Sequence, residues 1–472
     1  MRRSRFDRSW TVSIWFVAVA VAVAIPAAAQ EDERPRGSLA TPRTEQDLGR
    51  RVAAQAAAQL GLVEDPDVVA YVEAIGKRLA RHAPGYRYGY EFRIVDQGAP
   101  NAFALPGGFV FISRGLMVLS NSETELANVI GHEIAHAALR HSAAKQGVGG
   151  VGFVRALQQP FLAAYGRDLE TSADRVGQGL AAVAGYDPVG MGVFLGGLDQ
   201  LERFRRGRSR IPGFLDTHPT SASRSNEAHA RAGLIAWEPV PEISPGRAGY
   251  YEKVDGLIVG DPAAQGVFDG PRFLHADLAF TIRFPDGWRT QNSPRAVGAL
   301  SPRRDAWVSL ETAGRGDPLD VVDEWIQQQG DQIRDLHLEP LRLLGRDAVR
   351  VVGRAQGLAF RATFVSFRGA VYRITGASSN MSKNEAFLHQ VTRSFRPMTR
   401  ELLARVTERK VRIVEANAGE TFPTLVERTG TVWAPAEAAV YNGRKLDHVL
   451  EAGEPVKIAI EVPYTPQAAA SR

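Results

Sequence analysis

His132, Glu133 and His136 stand in the order His-Glu-Ile-Ala-His. On an α-helix, residues four apart share a face, so both imidazoles can address one ion. Glu133 lies on the same side, within reach of a water held by that ion. Two neutral nitrogen ligands beside a carboxylate base are what a zinc-dependent hydrolase requires. Further along, Glu170 and Asp174 are again four apart. Glu170 offers a third ligand and leaves one position open for water. Asp174 offers an acceptor for the other ring N–H of a ligating histidine. Taken singly, such a carboxylate pair is ordinarily a solvated helix face, and two helical histidines are ordinarily core or surface residues. Their combination points to a metal. Cysteine is absent from the 472 residues, which excludes disulfides, thiolate zinc sites and cysteine nucleophiles. Any metal is therefore held by His, Asp or Glu, and nitrogen with carboxylate favours zinc. One Zn2+ per chain is expected.

These side chains need helices to carry them. Ser122 reads as an N-cap with Glu125 three residues on, a capping-box arrangement. The helix is predicted to run through Leu126, Val129 and Ile130 to residue 144. A glycine-dense stretch, 147–152, follows. Helices are then predicted over 168–184 and, after Asp187-Pro188, over 189–204. Upstream, helices are predicted over 45–60 and 67–81, and strands over 90–95 and 108–113. Residues 45–235 thus read as mainly helical with a small sheet. Gly108 to Ser113 carries two readings, a strand on which an extended substrate lies or an ordinary buried strand.

Several motifs in order resemble the HtpX/BepA-type zinc metallopeptidases, relatives of the CAAX prenyl proteases. They are Asn101-Ala-Phe-Ala-Leu-Pro-Gly-Gly108, His132-Glu-Ile-Ala-His136, Glu170-Thr-Ser-Ala-Asp174, Gly185-Tyr-Asp-Pro188 and Thr217-His-Pro219 with Arg224. The resemblance covers about residues 45–235. It implies that His132, His136 and Glu170 bind zinc, that Glu133 is the catalytic base and that Asp174 orients a ligand. It also implies that His218 lies near the metal. There it stabilises the oxyanion or takes the fourth coordination position; the alternative is a helix cap beside Pro219. Arg224 is implied to pair with a carboxylate at the site. His141, one turn beyond His136, is expected at the surface or behind a ligand rather than on the metal.

The rest of the chain gives context. Hydrophobic residues at 44% and charged residues at 23% are a globular balance, and a net charge of +5 is too small for a nucleic-acid signature at this length. Arg2, Arg3, Arg5 and Arg8 precede an apolar run from Trp10 to Ile25, then Pro26 and Ala27-Ala28-Ala29. This reads as a signal peptide over 1–29 with cleavage after Ala29, the alternative being an uncleaved anchor. No later stretch is apolar enough to span a bilayer. Residues 30–44 read as a linker and 45–240 as the metallopeptidase unit. Residues 270–400 read as an α+β unit; Phe284-Pro-Asp-Gly-Trp288 weakly resembles PsbP-like domains. Residues 408–463 resemble a degenerate LysM module, through Ile413–Phe422, Tyr441-Asn-Gly443 and Leu450–Ile458. That unit either binds glycan or caps the middle unit. Arg203, Arg205, Arg206, Arg208 and Arg210 either touch anionic lipid or a partner, or form a solvated loop.

The fold class expected is multidomain: a mainly α metallopeptidase domain with a small β-sheet, then an α+β domain and a small α/β LysM-like module. The expected function is a periplasmic zinc endopeptidase acting on unfolded or misassembled polypeptides, with no nucleic-acid partner and no stable membrane span after signal removal. Two other classes stand beside it. One is a chaperone or quality-control factor partnered with the outer-membrane assembly machinery. The other is a peptidoglycan-associated hydrolase.

Overall fold

The computed structural model describes residues 42–85, 88–141, 165–205, 214, 218, 222–329 and 332–466. Residues 1–29, expected to be a signal peptide, the stretch 147–152 and Arg206, Arg208 and Arg210 lie outside these residues. Helix α1 (Pro42–Leu60) begins inside the segment expected to be linker. A proline with its fixed φ fits the first helical turn, which explains the earlier start. Helix α2 (Pro66–Ala80) is capped by Asp65, whose carboxylate accepts from the backbone N–H of Asp67 and Val68. It buries Tyr71, Val72, Ile75 and Leu79.

Three strands follow: β1 (Glu91–Val95), β2 (Ala102–Leu105) and β3 (Phe109–Ser113). Their order is β1-β3-β2, with β1 parallel and β2 antiparallel to β3. The substrate-strand reading of residues 108–113 fails here. Strand β3 is the central strand, paired on both edges and buried along its whole length, so no peptide can be added to it. Strand β2 was not anticipated, because Ala-Phe-Ala-Leu is buried at every position and lacks the alternation of a half-buried strand.

Helix α3 (Arg114–Leu119) leads into α4 (Glu123–Ala138), the helix of the histidine motif. Helix α4 stops short of the predicted residue 144, since Arg140 adopts a left-handed φ of 55° that no helix can continue. Helices α5 (Arg167–Val183), α6 (Gly190–Arg205), α7 (Ala222–Ala232) and α8 (Gly246–Val254) complete the unit. Leu126, Val129, Ile130 and Ile134 of α4 are fully buried in a core shared with the sheet, α2, α5 and α6. Helices α4 and α5 meet backbone to backbone. A Cβ on Gly177 would lie 2.7 Å from the His132 Cα, and one on Gly131 would lie 2.9 Å from the Gly177 carbonyl oxygen. This approach brings Asp174 and Glu170, one and two turns earlier on α5, up to the histidines.

The middle unit is built on a seven-stranded antiparallel sheet, with helices Pro318–Gln329 and Met381–Ser394. Its edge strand Arg334–Leu343 was not predicted, because Pro340 reads against a strand; an edge tolerates proline. The last unit runs β4 (Thr407–Glu415), α9 (Phe422–Thr429), α10 (Pro435–Tyr441) and β5 (Pro455–Pro463), with β4 and β5 antiparallel. Its buried Val411, Leu425, Trp433, Tyr441 and Ile458 join the core that α2, α4 and the small sheet share. Toward the middle unit, Val406 and Tyr464 join a small cluster with Ala263, Leu274 and Ala276, and the Tyr464 hydroxyl donates to Asp277. The cap reading therefore holds mainly for a different unit from the one expected. Among the described residues, no helix is long and apolar enough to cross a membrane.

Candidate metal centre

The N-terminus of α4 is fixed much as its sequence implies. Ser122 Oγ accepts from the Glu125 backbone N–H at 3.1 Å, and the Glu125 carboxylate accepts from Asn121 N–H at 3.2 Å, one residue before the usual capping-box partner. Two turns on, His132, Glu133 and His136 are fully buried. His132 Nε2 and His136 Nε2 lie 3.0 Å apart. Glu170 brings Oε1 to 3.3 Å from His136 Nε2 and Oε2 to 3.7 Å from His132 Nε2. His218 Nδ1 is 2.9 Å from Glu170 Oε1 and 3.3 Å from His132 Nε2. One ligand atom from each of these four residues falls within 4.8 Å of the other three. A tetrahedron of nitrogen and oxygen ligands around zinc has edges of about 3.3 Å. The cluster therefore fits such an ion in size and in donor type.

A second layer holds the ligands. Asp174 Oδ1 lies 2.9 Å from His132 Nδ1. Arg224 grips Asp174 in a fork, Nε to Oδ2 at 2.6 Å and Nη2 to Oδ1 at 2.7 Å, and places Nη1 2.8 Å from Glu170 Oε2. His141 Nδ1 lies 3.0 Å from His136 Nδ1, so the outer nitrogen of each α4 imidazole faces a polar partner. The Tyr165 ring covers His136 at 4.0 Å between centroids, and Phe214 stacks on His218 at 4.3 Å. The Phe214 backbone N–H donates to Pro100 and its carbonyl accepts from His218, which anchors His218 beside the start of β2.

The electrostatics follow from burial. Neither oxygen of Glu133 has a hydrogen-bond partner among the described residues, and His218 Nε2 approaches one of them at 3.4 Å. Burial raises the Glu133 acid above the usual carboxylate range. Burial also pushes Asp174 and Glu170 upward, but their neighbours win. Arg224 with His132 holds Asp174 below the ordinary range, and His218, His136 and His132 do the same for Glu170. Burial lowers His136, reinforced by His132 and His218, which favours the neutral, ligating imidazole. For His132, Asp174 outweighs burial and raises it. With the imidazoles neutral, ionised Glu170 and Asp174 against the Arg224 guanidinium leave the cluster at net −1, and at −2 once Glu133 gives up its proton, a charge that a divalent cation would balance. An orphaned buried carboxylate beside convergent ligand atoms is the arrangement of a metal-assisted hydrolase.

All seven residues singled out in the sequence, His132, Glu133, His136, Glu170, Asp174, His218 and Arg224, come together in this cluster. His218 faces the ligands rather than capping a helix. Arg224 meets two carboxylates rather than one. His141 takes the inner of its two expected places, 5% exposed. Tyr165, Phe214 and the Gly131/Gly177 contact escaped sequence reasoning, and no local pattern marks them. Arg203, from the basic run, is exposed and pairs with Asp199 at 2.7 Å.

Comparison with known proteins follows the same residues. Residues 66–154 and 144–232 match the profile of Peptidase family M48. The chain is 30% identical over 226 residues to the beta-barrel assembly-enhancing protease of Escherichia coli (strain K12), covering 42% of this chain and 46% of that protein. It is 31% identical over 176 residues to the mitochondrial metalloendopeptidase OMA1 of Schizosaccharomyces pombe, covering 33% of this chain and 50% of that one. The chain thus spans about half the length of the curated relatives it matches. A solution structure of cyanobacterial PsbP from Synechocystis aligns over 27% of this chain and 91% of its own, at 16% identity and a TM-score of 0.23, too low to assign a fold. Residues 66–232, which match the profile of Peptidase family M48, hold every member of the cluster.

Proposed function

We propose that this chain is a zinc-dependent endopeptidase of the bacterial cell envelope, with Glu133 as its general base. The observation that carries the reading is the Glu133 carboxylate, buried without a hydrogen-bond donor among the described residues and beside four convergent ligand atoms. His132, His136 and Glu170 would hold the ion, which when bound supplies a Lewis acid for the scissile carbonyl and an acidified water. Glu133 accepts the proton of the attacking water and returns it to the leaving amine. Asp174 and Arg224 keep His132 and Glu170 in place. His218 stands at the fourth corner of the cluster with its other nitrogen toward Glu133. We read this as a closed resting arrangement, from which His218 withdraws to admit substrate and then steadies the oxyanion. An extended peptide would add to β2, an edge of the small sheet that is buried in this closed arrangement, and its backbone would be bound with little side-chain selectivity. That suits unfolded or misassembled polypeptides, and the name of the beta-barrel assembly-enhancing relatives supports substrates in outer-membrane assembly. Residues 1–29 would direct export to the periplasm.

The test is cleavage of unfolded casein by the full chain and by Glu133→Gln. The variant is expected to keep its metal and to lose activity by on the order of 100-fold or more. Cleavage at the unsubstituted rate would overturn the assignment of the base. Suppression of aggregation by both proteins without cleavage would favour the assembly-factor reading. Release of muropeptides from sacculi would favour the cell-wall hydrolase.

A further inference from the structure

The last four carbonyls of a helix have no partner within it, and a buried helix end must find donors elsewhere. Helix α3 ends in such a place, immediately before the N-cap of the active-site helix. Of its terminal carbonyls, Leu116 accepts from Ser120 N–H, Met117 accepts from the Tyr250 hydroxyl at 2.7 Å, and Leu119 accepts from Asn121 Nδ2 at 3.0 Å. The Val118 carbonyl accepts from Lys457 Nζ at 2.7 Å, and the same nitrogen donates to Ser120 at 2.8 Å. Lys457 is fully buried, and its Nζ also sits 4.9 Å from the centre of the Tyr251 ring. It comes from β5, more than three hundred residues further along the chain.

The lysine is itself held in place. Asn442, between α10 and β5, accepts from the Lys457 backbone N–H and donates to its carbonyl. Tyr251 of α8 donates its hydroxyl to Asn121 at 2.7 Å and reaches Asn442 at 3.2 Å. Arg247 donates to the Asn442 carbonyl at 2.9 Å. The turn 117–121 is thus closed by donors from α8 and the C-terminal unit. Asn121 in turn donates its N–H to Glu125, in the first turn of the helix that bears His132 and His136.

We infer that Lys457 is a positioning residue for the metal centre: its amino group closes the end of α3 and so fixes the start of the active-site helix, which makes the C-terminal unit a working part of the peptidase. The inference rests on the proteolytic reading only for its activity readout. Removing its amino group leaves two buried carbonyls without a donor, and the turn must open to find water.

The experiment compares the full chain with Lys457→Met and with Lys457→Cys. Because the chain has no native cysteine, the new thiol is the only one. Alkylation of Lys457→Cys by 2-bromoethylamine in denaturant, followed by refolding, rebuilds a lysine-length side chain with a terminal amine. Lys457→Met is expected to lose hydrogen-exchange protection at residues 117–126 by about tenfold or more. Its kcat is expected to fall by on the order of tenfold with KM nearly unchanged. The aminoethylated variant is expected to recover both. Protection at 117–126 equal to the unsubstituted chain in Lys457→Met would overturn the inference. So would a failure of the amine to restore protection in a variant that refolds as well as unsubstituted chain treated alike. Should Lys457→Met not fold, the refolded aminoethylated protein and its unalkylated parent decide by the same exchange readout. An unsubstituted chain that cleaves nothing would count against the proteolytic reading alone, since hydrogen exchange does not depend on it.

Discussion

Two buried charged clusters in this molecule are built on opposite terms. In the middle unit Arg373 is 4% exposed, yet its Nη2 and Nε donate to Glu311 at 2.7 and 3.2 Å and its guanidinium lies 5.1 Å from the Trp325 ring centre. Protein groups answer that charge, and the result is a sheet held in register. At the candidate metal centre, carboxylates outnumber the guanidinium of Arg224, and Glu133 has no donor among the described residues. An unpaired buried charge costs several kcal/mol, so it persists only where something else neutralises it. The contrast separates a pair that serves the fold from a cluster whose convergent donors could hold a cation.

The largest break in this contrast should come from Arg224→Met. It strips the guanidinium from Asp174 and Glu170 and is expected to cost about 3–5 kcal/mol in urea unfolding of the metal-free protein. An unchanged midpoint would mean that the two carboxylates are not buried as ions. Gly177→Ala should cost about 1–3 kcal/mol by forcing α4 and α5 apart. Metal content should fall with it, and full metal occupancy would show that the helix crossing does not set the ligand geometry. His141→Ala should lower metal affinity by about 10- to 100-fold in competition with a chelator, through the freed Nδ1 of His136. An unchanged affinity would leave His141 a bystander.

The smallest effect belongs to the middle unit. Burial lowers His275 to about 4, below the ordinary histidine value of 6.5. The unfolded chain therefore binds the proton more readily between these values, and stability falls as pH drops through 6.5 and levels off below 4. Because the side chain keeps some solvent contact, the expected loss is about 1–2 kcal/mol. Melting of His275→Gln across this window should be flatter than that of the unsubstituted chain. Equal slopes would place the acid sensitivity elsewhere.

What could be read without coordinates was what local spacing encodes. His132, Glu133 and His136 lie on a capped helix, and Glu170 and Asp174 repeat the same period, so helical geometry alone brings each set to one face. His218 and Arg224 were reached only through resemblance, because their place depends on how distant segments pack. The helix crossing at Gly131 and Gly177 is a tertiary fact with no periodic trace. Strand β2 was hidden by burial on both faces, and the strand through Pro340 by a residue that only an edge accepts. Lys457 is the clearest case. Nothing local in Pro-Val-Lys-Ile marks it, and its buried place follows from the docking of the C-terminal unit on α3.

The account stands most directly on metal analysis of the purified full chain alongside His136→Ala and Glu170→Ala. About one zinc per chain is expected in the unsubstituted protein, a small fraction of that in each variant, and cleavage that a chelator abolishes and added zinc restores. Zinc retained in full by both variants, or an unsubstituted chain that cleaves peptides equally well without metal, would contradict it.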